Sequence, residues 1–465
     1  MDLKKALRTK SAEHREDTVD RHDAHHLHLV PADEEAAGKT GSSLLKRFSV
    51  HKAMPIKEPV RIIGLAPGTL NLPRRTGDII GSAQLLVGGQ RLLDAVPDAP
   101  PWAERVPIAG PLGPIVERIR KDASAGRRVV VLADGDPLFF GIGKRLGDDL
   151  GREHIQVVPN ISTVQTAAAR LGLPWQEMDF VSLHGRADYA PLYAALVRAD
   201  LIAVFTDATN TPDEIARALL ERGADCFSMT VLENLGTPEE TIRQIPLPET
   251  WGMEFAPLNL VVLERQYPPE IELTLGIPDH YYMHQKGLIT KLPVRSSGLG
   301  HLQVMPGSTV WDLGAGCGSV AIEASHLARS GRVFAVERNK TRAAMIRENI
   351  RRTGAWLVDT VHGDMPGCLD PLPAPDRIFI GGGLGGPANT DTTLLQVACD
   401  RLASRGRIVI HCILLDSLQT AKSHFQALGW HFGVTQLQAS ATDSLAGDLR
   451  FKAQNPVFIL WAEKP

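Results

Sequence analysis

The chain has 465 residues, too many for one hydrophobic core, so two or three domains are expected. Hydrophobic residues at 43%, charged residues at 22% and a net charge of −3 describe a globular protein with no general attraction to nucleic acid. No apolar run approaches the ~18 residues that span a bilayer, and five cysteines, scattered and never spaced C-x-x-C, point to a reducing, cytoplasmic setting without a cysteine-based metal site.

Residues 1–57 are polar, lack the apolar stretch of a signal peptide, and hold too many acids for an organelle transit peptide. They are expected to be disordered. His22, His25, His26 and His28 read either as a metal-binding tract or as a solvated tail, and the composition favours the tail. An apolar run at 60–65 is the first expected strand, and it feeds Gly64, Leu65, Ala66, Pro67 and Gly68. A second run at 128–133 ends in Asp134, Gly135, Asp136 and Pro137. A third at 156–158 leads through Asn160, Ser162 and Thr163 into an alanine-rich helix. Strands alternating with helices imply a parallel α/β sheet, which binds ligands at the carboxyl ends of its strands. All three loops lie at that end.

These strings resemble the tetrapyrrole methylase (class III methyltransferase) family, which shows G-x-G-P-G, G-D-P-x-x-x-G and P-G-I-S-S. Val87-Gly88-Gly89, Ser-Leu-His-Gly-Arg at 182–186, Glu233-Asn234-Leu235-Gly236 and Pro257-Leu258-Asn259 are similar to the subgroup that methylates precorrins at carbon 5. The resemblance implies two α/β subdomains over residues 58–265. It also implies S-adenosyl-L-methionine held by Gly64, Pro67, Gly68, Asp134, Gly135, Asp136, Pro137, Ser162, Thr163 and Asn259. Ala66 and Asn160 stand where the family has glycine. If position 66 needs positive φ, alanine there costs about 1 kcal/mol; asparagine is the best tolerated non-glycine residue. A first half reduced to a binding scaffold stays open on that ground.

Tyr267, Pro268 and Pro269 stiffen a linker expected at 266–276. The domain that follows, 277–465, is organised around residues 309–327. An apolar run ending at Leu313 suits a buried strand. Gly314, Gly316 and Gly318 let the backbone turn and approach a ligand, and Val320, Ala321, Ala324 and Leu327 make a helical apolar face. Ser319 occupies the place of the third glycine in a dinucleotide fingerprint, which argues against a dinucleotide. Strand 332–336 runs into Glu337, at the distance for a carboxylate that holds ribose hydroxyls. Strand 360–362 precedes Gly363 and Asp364, and strand 376–380 closes on Gly381, Gly382 and Gly383. Runs at 407–412, 432–438 and 457–462 complete a sheet, the last two as an antiparallel pair.

This order resembles the class I methyltransferases, with a Rossmann-like fold of seven strands. It implies S-adenosyl-L-methionine on Asp312, Gly314, Ala315, Gly316, Gly318, Glu337, Gly363, Asp364 and Gly381. The strings I-T-K then V-R at 289–295, W-D-L-G-A-G-x-G-S-V-A-I-E-A and P-D-R-I-F-I-G-G-G are similar to the precorrin methyltransferases for carbon 15 that also decarboxylate the carbon-12 acetate. Leu292-Pro293, Cys317 and Asp364-Met365 depart from the usual strings. The fusion, in this order, resembles bifunctional methyltransferases of cobalamin biosynthesis. It implies one cofactor per half, a precorrin or cobalt-precorrin substrate, and self-association into a homo-oligomer.

Methyl transfer to carbon demands alignment, which can supply ~7–11 kcal/mol, more than acids and bases. That accounts for motifs rich in glycine. The many carboxylates of such a substrate call for local cations, with Lys291 and Arg295 expected in the second half and Arg186 with His184 in the first. Each could equally be a solvated surface cation. Thr290 and His284 are candidate proton or orientation partners. Cys317 reads as a small side chain filling a tight loop, not a nucleophile, and Trp311 and Phe379 read as core. The competing function, a methyltransferase of RNA or protein, needs a basic or aromatic face. Neither the charge balance nor the 5% aromatic content suggests one.

Overall fold

Val60, Ile62, Val129 and Val131 alternate with Ile63, Leu65, Val130 and Leu132, so two neighbouring strands are apolar on both faces. A strand of that kind must lie inside a sheet covered on both sides. A computed structural model, which describes residues 55–68, 72–96, 99–381 and 388–465 (the side chains of 388–393 excepted), shows this arrangement. The tail histidines and Gly382 and Gly383 lie outside the described residues.

Strands β1 (Val60–Leu65), β2 (Leu85–Gly88), β3 (Glu104–Pro107), β4 (Val129–Asp134) and β5 (Ile155–Val158) form a parallel sheet in the order β3-β2-β4-β1-β5. A second sheet holds β6 (Asp179–Ser182), β7 (Leu201–Phe205), β8 (Phe227–Glu233), β9 (Thr241–Ile245) and β10 (Asn259–Arg265) in the order β6-β7-β10-β8-β9. Only β6 and β7 pair in parallel there. These are the two α/β subdomains of a tetrapyrrole methylase fold.

The third sheet has seven strands: β11 (Thr309–Leu313), β12 (Arg332–Glu337), β13 (Val358–His362), β14 (Arg377–Ile380), β15 (Arg407–Cys412), β16 (His431–Leu437) and, after an inserted hairpin of β17 (Ser440–Leu445) and β18 (Asp448–Ala453), β19 (Val457–Glu463). Its order is β13-β12-β11-β14-β15-β19-β16, with β19 antiparallel to both neighbours. The expected pairing of the last two strands is thus present. The hairpin between them was not expected. Ala446 and Gly447, both at positive φ, make its two-residue turn, and alanine is a poor signal for such a turn.

One cluster of buried side chains runs without a break from the second sheet into the third. Phe227 and Trp356 meet across that boundary, edge to face at 5.5 Å. Among the described residues no helix is long and apolar enough to cross a membrane.

Candidate cofactor and substrate sites

β1, β4 and β5 end side by side, which brings their three loops together. Gly135 N donates to Leu65 O at 2.7 Å, and Asn160 N donates to Gly135 O at 3.2 Å. A Cβ on Gly64 would lie 1.9 Å from Gly135 O, and one on Gly68 would lie 1.7 Å from Gly236 O. These glycines are required by loop-on-loop contact, whereas the sequence suggested close approach to a ligand. The backbone cost expected of a positive φ is not incurred at Ala66 or Asn160. Among the described non-glycine residues positive φ is confined to Phe140, Asn234, Lys286, Gln303, Arg405 and Ala446. Asn160 instead joins two loops: its Nδ2 donates to Gly64 O at 3.2 Å, and its Oδ1 accepts from Ile161 N at 2.9 Å.

Asp134 pairs with Arg91 at 2.5 Å, both about half exposed. Asp136 Oδ1 accepts from Leu138 N and shapes the turn over Pro137. Ser162 caps the helix Thr163–Leu171 reciprocally with Gln165. The Asn259 amide holds its own loop, donating to Ala256 O at 2.7 Å and accepting from the Thr206 hydroxyl at 2.8 Å. Leu138, Phe140 and Ile161 are exposed apolar residues on the second and third loops. Sequence reasoning missed them, because nothing but their position beside a motif marks them.

His184 and Arg186 are exposed on the loop after β6. Asp207 holds that loop, accepting from the backbone N–H of Gly185, Thr209 and Asn210. Burial opposes ionisation of Asp207, but these donors outweigh it and hold its carboxyl below the usual range.

In the second half, Gly314 N and Ala315 N both donate to Val336 O, at 3.0 and 2.9 Å, which clasps the glycine loop to the end of β12. Gly314, Gly316 and Gly318 have φ of 76°, 61° and 82°. A Cβ on Gly316 would meet nothing within 4 Å, so this glycine borders open space. Gly318 packs on Ile346 and begins the helix Ser319–Leu327. Asp312 is buried and accepts from Ala321 N at 3.0 Å, and its burial pushes the carboxyl up to about 7. Glu337 accepts from Gly316 N at 3.0 Å, from Asn339 N at 2.8 Å and from the Arg342 guanidinium at 2.8 Å. Burial works against its charge, but Arg342 and the two backbone donors hold the carboxyl below its usual range. A Cβ on Gly363 would lie 2.7 Å from that of Cys368, and one on Gly381 would lie 3.1 Å from the Phe379 ring. Asp364 is exposed.

Arg295 requires a correction. It is wholly buried, where the sequence reading placed it against substrate. Its Nε donates to Glu323 at 2.6 Å, Nη1 to Asp279 at 3.2 Å and Thr290 O at 2.5 Å, and Nη2 to Ile277 O. Glu323, equally buried, also accepts from Gly276 N, Ile277 N and the Tyr282 hydroxyl. A buried guanidinium with its donors spent inside the protein cannot clamp a substrate carboxylate. Lys291 differs: its side chain is 40% exposed and only 3.7 Å from Asp279. It sits at the start of the helix Leu292–Leu302, with Thr290 just before it. His284 Nδ1 accepts from Gly287 N at 3.2 Å. Cys317 is a buried filler whose thiol burial pushes up, and Trp311 and Phe379 are core. No group of three or more metal-ligating side chains occurs among the described residues.

Comparison with known proteins matches both halves. Residues 59–250 match the family model of tetrapyrrole (corrin/porphyrin) methylases, and residues 280–464 match that of the precorrin methyltransferase domain. The chain is 32% identical over 383 residues to a precorrin-6Y C(5,15)-methyltransferase [decarboxylating] of Sinorhizobium sp, covering 79% of this chain and 88% of that one. It is 30% identical over 400 residues to the protein of the same description from Mycobacterium tuberculosis, covering 85% and 97%. A cobalt-precorrin-7 C(5)-methyltransferase of Salmonella typhimurium is 34% identical over 187 residues, 40% of this chain and 90% of that one. With both halves matched in order and nearly the full length of two relatives covered, the chain belongs to the precorrin-6Y C(5,15)-methyltransferase (decarboxylating) family.

Proposed function

We propose that the chain methylates a precorrin-6 type tetrapyrrole at carbons 5 and 15 and removes the carboxylate of the carbon-12 acetate. The observation that carries this reading is the presence, in one chain, of two loop sets on unrelated folds, each at the carboxyl ends of its strands. Methyltransferases of this family use S-adenosyl-L-methionine, and the reading assigns one molecule to each half. When bound, that cofactor supplies a methyl group on a sulfonium, an electrophile for an electron-rich ring carbon.

The second half fits such a group. Open space at Gly316 leaves room against its backbone, and Glu337, already ionised beside it, suits ribose hydroxyls. Gly363 and Asp364 take the adenine edge. Lys291 offers a mobile point charge to a substrate carboxylate. His284 uses Nδ1 within its turn, which leaves Nε2 to hold or pass a proton. In the first half residues 64–68, 134–137 and 159–163 supply backbone. Leu138, Phe140 and Ile161 add apolar surface, and Arg186 with His184 faces carboxylates. Neither nucleic acid nor a membrane is a partner in this reading, and the chain works in the cytoplasm as a homo-oligomer.

Incubation with a precorrin-6 type substrate and S-adenosyl-L-methionine, followed by mass analysis, tests the proposal. Two added methyl groups and one lost CO2 are expected. An unchanged mass refutes it, and one methyl with CO2 loss would leave the first half as a scaffold.

A further inference from the structure

The core contacts between the two halves are made at sheet ends that carry none of the glycine loops. In the second sheet β8 and β10 are antiparallel, with Glu233 opposite Asn259 at one end and Phe227 opposite Arg265 at the other. The first of these ends belongs to the first site, because a Cβ on Gly236 would lie 2.3 Å from Pro67 O. The other end belongs to the junction. Phe227 packs on Trp356, and the Arg265 guanidinium lies 4.7 and 5.2 Å from their two ring centres.

The third sheet shows the same polarity. Val358 pairs with Val333 at one end of β13, and His362 pairs with Glu337 at the other. Glu337 and Gly363 lie at the site end. Trp356, just before β13, lies at the junction end. There Arg222 donates to Val358 O at 2.7 Å and pairs with Asp359. Arg352 pairs with Glu270 at 2.7 Å, and Ile271 N donates to Arg352 O at 2.9 Å. A hinge that turned one site toward the other would have to break these contacts and open a continuous core.

Strands rise about 3.3 Å per residue, so the seven residues of β8 and the five of β13 each set a site end back from the junction end of its own sheet. Two pockets border the junction among the described residues, about 240 Å³ between Tyr189, Arg222, Arg332 and Asp359 and about 450 Å³ beside Phe227 and Asp225.

We infer that the two sites of one chain work back to back, and that the singly processed tetrapyrrole is released into solvent before it reaches the second site. The inference rests on the proposed function. It makes the order of the two reactions a matter of which tetrapyrrole each site accepts, with no tunnel to enforce it.

An isotope-dilution experiment on the full chain tests it. Labelled precorrin-6 type substrate and S-adenosyl-L-methionine are supplied together with a tenfold excess of the unlabelled, singly processed tetrapyrrole. That competitor is collected from the Asp136→Arg chain, whose second half is intact. Release predicts that label in the doubly methylated product falls at least tenfold in early turnovers. Full label in that product overturns the inference. A second arm needs no competitor: Asp136→Arg and Gly316→Arg chains are mixed after each has shown its own single reaction. Release predicts doubly methylated product at a rate within about twofold of the unaltered chain at equal site concentration. A mixture that stops at the singly processed stage overturns the inference. Absence of any methylation by the unaltered chain would sink the proposed function and this inference with it, an outcome distinct from full label retention.

Discussion

At position 160 a side chain does what a glycine could not, tying the third loop to Gly64 O while shaping its own turn. Asn160→Gly is expected to lower stability by about 1–2 kcal/mol, from two lost hydrogen bonds and a freer unfolded chain, in urea titrations of the full chain. Ala66→Gly, at ordinary backbone angles, should keep carbon-5 methylation at or above its starting rate; a large loss with folding intact would show that the methyl group itself meets ligand. Glu337→Ala should weaken cofactor binding in the second half by ~1–3 kcal/mol, read by calorimetry on the Asp136→Arg chain, where only that site binds. An unchanged dissociation constant would remove Glu337 from the site. Asp312 and His411 set opposite pH dependences. Burial raises the Asp312 carboxyl to about 7, so its contribution is complete below about pH 4 and is lost as pH rises to 7. Burial lowers His411 to about 3, so its contribution is complete above about pH 6.5 and is lost as pH falls toward 3. Asp312→Asn should therefore be more stable than the unaltered chain at pH 8, by a few kcal/mol in order of magnitude, and no more stable near pH 4. Denaturation midpoints across that range decide it.

The helix Ser319–Leu327 has the apolar face its periodicity suggests, yet it also buries Glu323 in the middle of that face. An acid between Ile322 and Ala324 was itself a signal, since such a residue must find a buried partner. Its partner, Arg295, lies on the helix Leu292–Leu302, and together they hold residues 276–291 against the helix that follows the glycine loop. Arg295→Met is expected to cost about 3–5 kcal/mol, because the buried Glu323 would lose its partner. Urea unfolding measures this, and a loss under about 1 kcal/mol would mean that Glu323 is satisfied by its remaining donors.

Trp356 and Arg222 make the junction part of the fold rather than a loose tether. Trp356→Ala should cost about 3–5 kcal/mol, as expected for a buried aromatic, and should uncouple the halves. Calorimetry should then show two unfolding transitions, and proteases should cut residues 266–276 faster. Both methylation rates should persist, since Trp356 packs on Phe227 and Arg265 at the sheet ends opposite the glycine loops. A single transition with unaltered proteolysis would show that the other junction contacts suffice.

The strand ends at Leu65 and Leu313, the glycine strings after them and the seven sheet strands of the second half along the chain were legible in the sequence. Apolar runs, turn residues and helical periodicity are local properties, and local properties are written in consecutive residues. Which glycine meets backbone and which meets open space was not legible. Gly64 and Gly68 answer to Gly135 and Gly236, far along the chain, whereas a Cβ on Gly316 would meet open space. The same holds for Arg295, whose neighbours as a sequence read like a surface cation's and whose burial depends on Glu323, 28 positions on. The chemistry of each half is carried by short strings, so sequence determined it. The direction each site faces depends on which ends of two sheets pack together, a contact between residues more than a hundred positions apart that tertiary structure alone decides.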